Sequence, residues 1–197
     1  MSTQYFMPIP IYQVECIDNI NEIQQEIDSV IKDVNFKRSE EWGQTHYLSD
    51  TTFTENFIEH NKLITFKSEL NKHLQKYCDD LKFKSESFSY YMESSWVTLL
   101  KKGNYGHIHD HGDSDISGVY YHKTNGDDGN IFFLSPAPTS SKPAQICSGR
   151  LTFSPRPGSL ILFPSWLRHG VETNTTNNIR ISVSFNYKFV KKEKCIM

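Results

Sequence analysis

From Phe88 onward the apolar residues recur in short β-rich runs rather than at helical spacing, and clusters of turn-forming residues divide the runs. The runs are residues 94–100, 116–121, 130–134, 150–153, 159–163 and 180–189, punctuated by KGN, TNGDDGN, SPAP and SPRPG. Gly, Asn, Asp and Pro reverse a chain at low conformational cost, so each cluster predicts a tight turn. At least six short strands joined in this way point to a β-sandwich or small barrel.

The first half of the chain has a different period. Ile20, Ile23, Ile27, Val30, Ile31 and Val34 fall at three- and four-residue intervals behind Asp18, which stands where an N-cap belongs. This predicts one amphipathic helix with Glu22 and Glu26 near its positive end. A second helical pattern runs through Ile58, Leu63, Ile64, Leu70, Leu74, Tyr77 and Leu81. Pro8 and Pro10 frame a short extended segment over 9–14, suited to a sheet edge. Residues 36–56, with Trp42 and Gly43, read as a loop with some extended structure. The expected fold is therefore mainly β with N-terminal support helices: one domain over 1–197, helical over 1–85 and β over 86–190.

Composition removes several function classes. The 21 Lys and Arg nearly balance the 23 Asp and Glu, so the chain predicts neither a broad nucleic-acid surface nor a polyanionic tail. The longest apolar stretch, near 160–167, is broken by Pro164 and Ser165, far short of the about 18 residues that span a bilayer. MSTQYFMPIP has no basic segment followed by a long apolar one, and KCIM sets Cys195 one place too late for prenylation. Cys16, Cys78, Cys147 and Cys195 are scattered, as free thiols in a reducing compartment are. Asn174-Thr175-Thr176 then reads as a polar turn rather than a glycosylation acceptor, and KKEK at 191–194 as a solvated end. The expectation is a soluble cytoplasmic protein of a bacterial or infected host cell, with a homodimer left open.

Three of the eight histidines, His107, His109 and His111, lie within five residues in KGNYGHIHDHGDSDISGVYY. On a strand, side chains two residues apart leave the same face, so an H-x-H pair aims two imidazoles into one space. A helix would set them about 200° apart, which suits chelation badly. With a third ligand returned by the fold, such a pair makes a facial site for mononuclear iron that leaves positions open. Solvated loop is the plain alternative, with Asp110, Asp113 and Asp115 as turn formers.

Residues 155–187 supply the rest. Gly158 ends a turn, 160–163 reads as a buried strand, and His169 follows it. Eleven residues on, Arg180, Ser182 and Ser184 share one face of a strand whose other face is Ile181, Val183 and Phe185. A polar face headed by Arg fits a strand lining a pocket, where the guanidinium would take a carboxylate bidentately and Ser182 would add a hydroxyl.

His109-x-His111, then His169 58 residues after His111, then Arg180-x-Ser182, resembles the Fe(II)- and 2-oxoglutarate-dependent oxygenase superfamily. The likeness is nearer to a small branch, found in bacteria and tailed phages, that carries Ser117-Gly118-Val119-Tyr120-Tyr121, Phe163-Pro164-Ser165 and Arg180-Ile181-Ser182-Val183-Ser184-Phe185-Asn186. It covers roughly residues 95–187. The resemblance implies a double-stranded β-helix (jelly roll, cupin-like) with Fe(II) between its sheets. His109, His111 and His169 would be the ligands, and Arg180, Ser182 and Tyr121 would hold 2-oxoglutarate. It also implies O2 as oxidant and hydroxylation of a substrate that the motifs do not name.

The wider superfamily commonly has a carboxylate second ligand, which His111-Gly112-Asp113 would restore with Asp113. The ungapped run from Lys102-Gly103 to Ser117-Gly118 favours His109-x-His111, with His107 last. His122, Trp166 and the turn 125–128 could border a substrate mouth, but each reads first as structural. Two other classes share the scaffold: a metal-binding cupin that leaves Arg180 idle, and a jelly-roll binding module that needs no metal. No G-x-S-x-G or phosphate loop is present.

Overall fold

The computed structural model describes residues 9–40, 42–49, 56–83, 87–136 and 149–192. The segment 1–8, Cys147, Cys195 and the end of the KKEK tail lie outside the described residues. In chain order the elements are β1 (Tyr12–Val14), α1 (Ile20–Ile31), β2 (Phe36–Arg38), β3 (Tyr47–Ser49), α2 (Phe57–His60), α3 (Ile64–Asp80), β4 (Phe88–Leu100) and β5 (Gly106–His109). There follow β6 (Ile116–Lys123), β7 (Ile131–Leu134), β8 (Arg150–Phe153), β9 (Leu160–Pro164), β10 (His169–Val171) and β11 (Arg180–Lys191).

They form two antiparallel sheets. The larger has the order β1-β9-β6-β11-β4-β3-β2 and the smaller β5-β10-β7-β8. The mainly β, double-stranded β-helix expectation is met, and β1 is the edge strand that Pro8 and Pro10 predicted. The loop over 36–56 contributes β2 and β3, which extend the large sheet beyond β4.

Strand alternation sorts the large sheet into two faces. Val97, Tyr120, Leu160, Leu162, Val183, Phe185 and Tyr187 pack with Ile23 and Ile27 of α1 and with Phe66, Leu70, Leu74 and Tyr77 of α3. Val119, Tyr121, Ile161 and Phe163 take the other face and meet Ile131, Phe133 and Leu167 between the sheets. Gly118 allows the helix-side packing: a Cβ there would lie 2.4 Å from Phe185 Cε2 and 2.7 Å from Leu162 Cδ2.

The helices depart from the expected boundaries. Asp18 does not cap α1; Asn19 precedes it in left-handed backbone at φ 54°, and Asp18 pairs with Lys72 of α3. The carboxylate of Glu26 caps a different helix, accepting Thr65 N–H at 2.9 Å and Phe66 N–H at 3.0 Å. The second helical pattern is broken into α2 and α3. Lys62 turns left-handed at φ 52°, and Asn61 Nδ2 closes α2 by donating to Phe57 O at 2.8 Å. Asn174 is fully buried and shapes a turn, its Nδ2 donating to Leu100 O and Asn178 O. Among the described residues no helix is long and apolar enough to cross a membrane.

Candidate metal centre and cosubstrate pocket

The two sheets enclose a cavity of about 700 Å³ between the face of β11 that carries Arg180 and the strands β5 and β10. His109 ends β5 and His169 begins β10, and the register sets them directly opposite each other. Antiparallel pairing therefore holds two imidazoles side by side, with ring centroids 4.4 Å apart. His111 lies just past the end of β5, so strand alternation does not place it. Its N–H donates to Ser165 O at 2.9 Å and its carbonyl accepts Ser114 N–H at 2.9 Å, which turns the ring into the same space. The three histidines each offer a ligand atom, all within 4.8 Å of one another.

The motif serines explain that turn. Ser165 Oγ and Ser117 Oγ are 2.8 Å apart, and Ser117 donates to Asn186 Oδ1 at 2.8 Å. Asn186 Nδ2 in turn donates to Ser94 Oγ at 3.1 Å. Residues of β4, β6 and β11 thus brace the loop after β9 whose carbonyl fixes His111.

Proton placement follows from the backbone. His109 Nδ1 lies 2.9 Å from His107 O, and His169 Nδ1 lies 2.9 Å from Leu167 O. A carbonyl only accepts, so both Nδ1 atoms carry the proton and both Nε2 lone pairs are free to ligate. Burial lowers the pKa of His169 to about 3 and of His111 to about 4, helped by neighbouring imidazoles, and it lowers His109 as well. Three neutral imidazoles suit a divalent first-row metal such as iron.

Metal uptake should therefore ignore mild acid. Three unperturbed imidazoles would lose about 1,000-fold in affinity between pH 7.5 and 5.5, whereas these should lose less than about tenfold, read by Co(II) absorption titration. Folding has the opposite sensitivity. The unfolded chain takes up protons below about pH 6.5 that the buried rings refuse, so apo-protein stability falls from there as pH drops toward the depressed values.

At the far end of the cavity Arg180 is 2% exposed, and among the described residues no carboxylate lies within ion-pair distance of it. Nη1 donates to Gly129 O at 2.5 Å, while Nε is buried with no hydrogen-bond partner among the described residues. Gly129 itself sits at φ 107° against β10, where a Cβ would meet Glu172 O at 2.5 Å. The ring of Tyr121 stands 5.2 Å from the guanidinium carbon, and its buried hydroxyl has no partner among the described residues either. Register pairs Tyr121 with Ser182, which also lines the cavity. A buried guanidinium normally needs an anion. The unmatched donors here fit a carboxylate.

The structure brings His109, His111, His169, Arg180, Ser182 and Tyr121 to one cavity. Asp113 also lines it but is exposed and outside the three-histidine cluster. His107 is outside that cluster too and stacks on Trp42 at 5.2 Å. His122, Trp166 and the turn 125–128 do not line the cavity; His122 faces α1 and bonds Asp28 at 2.9 Å.

Three wall residues escaped the sequence reading. Trp42 meets His109 edge-on at 4.7 Å, Trp96 meets His111 at 5.6 Å, and His46 is buried beside them. The alternation of β4 could have found Trp96, which pairs with Ser184. Trp42 sits on a turn and His46 just before a three-residue strand, with no period to read.

Residues 94–186 match the family model described as "Putative 2OG-Fe(II) oxygenase". No curated protein sequence matches the chain. Among solved structures, a 2OG-Fe(II) oxygenase family oxidoreductase from Burkholderia pseudomallei aligns with TM-score 0.61 and 15% identity, over 84% of this chain and 77% of that one. A Pseudomonas putida prolyl-4-hydroxylase aligns with TM-score 0.58 and 13% identity, over 91% and 92%. HygX from Streptomyces hygroscopicus, solved with nickel, 2-oxoglutarate and hygromycin B, aligns with TM-score 0.62 and 10% identity, over 91% and 83%. At these identities the structures speak for the fold alone. The family match falls on the strands that carry the histidines and Arg180, and over those residues the chain is similar to the Fe(II)- and 2-oxoglutarate-dependent oxygenase superfamily.

Proposed function

We propose that the protein is a 2-oxoglutarate-dependent hydroxylase in which His109, His111 and His169 hold Fe(II) and Arg180, Ser182 and Tyr121 hold the cosubstrate. The likeness to the superfamily supports Fe(II), 2-oxoglutarate and O2 as the working set. The observation that carries the assignment is the buried Arg180, which has an unmatched Nε beside an unmatched Tyr121 hydroxyl in the cavity of the three imidazoles. A cupin that ignored 2-oxoglutarate would have no use for a buried cation at that place.

Bound Fe(II) and 2-oxoglutarate supply oxidative decarboxylation by O2 to succinate and CO2, and the oxidising power to hydroxylate a C–H bond. The chain's own residues set the geometry. His107 O and Leu167 O keep the Nδ1 protons in place, so the ligating nitrogens stay unprotonated. Arg180 and Ser182 anchor one end of the keto acid, and Tyr121 donates its hydroxyl, whose proton burial holds with a pKa of about 12. Phe133 and Phe163, both in ring contact with His169, keep water from that side of the site.

An anaerobic absorption titration with Fe(II) and then 2-oxoglutarate tests the reading. The expected result is a visible charge-transfer band that needs both additions. Iron uptake without a band on adding 2-oxoglutarate would move the protein to the cupin class.

A further inference from the structure

Resting on the oxygenase reading, we infer that the primary substrate is an organic cation, an amine- or guanidinium-bearing group that enters against Trp42 and Trp96. The charges lining the cavity are strongly segregated. Among the described lining residues the one Arg or Lys is Arg180, fully buried at one end of β11, whereas the acidic ones, Glu93 and Asp113, stand at the other end near Ser114 and Asn186; behind the walls, Asp128 partly answers Arg180 and Lys188 partly answers the acids. A divalent metal and dianionic 2-oxoglutarate cancel in charge, so loading the site leaves this polarity in place. Glu93 is partly answered, accepting Ser114 Oγ at 2.6 Å and Lys188 Nζ at 3.1 Å. Asp113 has no hydrogen bond or ion pair among the described residues and is exposed on the cavity lining, within electrostatic reach of the same Lys188, so two carboxylates share one ammonium there. His46, the remaining lining histidine, is held neutral by burial, with a pKa of about 4, and offers no positive charge at physiological pH.

The walls fit the same class. Trp42 and Trp96 line the cavity and contact the rings of His109 and His111, so a group lying against either indole is beside the metal. Indole is the best aromatic partner for a cation, and two of the chain's three tryptophans are here. A carboxylate or phosphate on the substrate would face Asp113 and Glu93 with Arg180 already engaged by 2-oxoglutarate, which disfavours anionic substrates.

Tryptophan fluorescence titrations with benzyltrimethylammonium, benzyl alcohol and benzoate test this in both the anaerobic Co(II)·2-oxoglutarate complex, where Arg180 is engaged, and the apo-protein of an Arg180→Met variant, where it is absent. The ammonium probe should bind about tenfold or more tighter than benzoate, with benzyl alcohol between them. Asp113→Asn with Glu93→Gln should cut affinity for the ammonium about five- to tenfold and erase the preference over benzoate. Trp96→Leu should weaken the ammonium probe more than benzyl alcohol. Equal binding of benzoate and ammonium, or a preference that survives the double substitution, would overturn the inference. Formation of the Co(II)·2-oxoglutarate complex is read in the same samples by the cobalt absorption. Its failure would count against the oxygenase site, while charge preference is then judged in the Arg180→Met apo-protein, where no free guanidinium draws benzoate.

Discussion

Replacing Arg180 with methionine should abolish 2-oxoglutarate binding while leaving the protein better folded without its cosubstrate. Removing one partner of a buried, hydrogen-bonded charge pair costs about 2–5 kcal/mol, a loss of affinity of about 30-fold to several thousand-fold. Methionine keeps much of the volume and removes a guanidinium that burial already disfavours, as its lowered pKa records. Apo-protein stability should accordingly rise, by about 1–4 kcal/mol if the site behaves as other buried charges replaced by apolar side chains do. Co(II) titration should show unchanged metal uptake, 2-oxoglutarate titration should fail to saturate, and thermal denaturation should give a higher Tm. A variant that binds 2-oxoglutarate as tightly as the parent chain would falsify the role assigned to Arg180. The opposed signs in binding and folding separate a functional cation from a structural one, whose loss would lower both.

His169→Ala is expected to have the second large effect. It removes the imidazole paired across the sheet from His109, leaving two ring ligands, and its cost should exceed the about 10- to 100-fold in metal affinity seen for lesions one shell further out. Stoichiometric Fe(II) binding should be lost at protein concentrations where the parent chain is saturated. His107→Ala, which alters the stack on Trp42, and Asp113→Asn, at the rim, should both keep full metal stoichiometry. Metal analysis after gel filtration distinguishes these outcomes. Loss of iron in Asp113→Asn with retention in His111→Ala would transfer the second ligand position to the carboxylate.

Some of this site was readable from periodicity. The two-residue alternation of β11 fixes which side chains leave together, so Arg180, Ser182, Ser184 and Asn186 had to share a face once the segment was a strand. His111 reached the site by another route than the one its spacing implied. The strand ends at His109, and the ring is turned in by a hydrogen bond to Ser165 O, a partner 54 residues away. The H-x-H spacing therefore named the right side chains for a reason that holds for only part of the pair.

The helices show where pattern reading fails. Ile58, Leu63 and Ile64 continue an apolar helical stripe in sequence, yet Asn61 and Lys62 break it, and Ile64 is 73% exposed. Asp18 has the right chemistry for an N-cap, but Lys72, 54 residues on, takes its carboxylate. Local signals state what a segment can do, and distant partners decide which option is used.

The sequence alone determined the class of fold, the polar face of β11, the histidines to consider and the cation that would meet a carboxylate, because all of these follow from residue type and spacing along one strand. Tertiary structure decided that Arg180 has no carboxylate within ion-pair distance among the described residues. It also decided that His122 of β6 faces α1 rather than the cavity, and that Trp42, from a turn far in sequence from the metal-binding strands, forms part of the wall. Burial, cross-sheet register and the absence of a partner are relations between segments distant in the chain, and no local period encodes them.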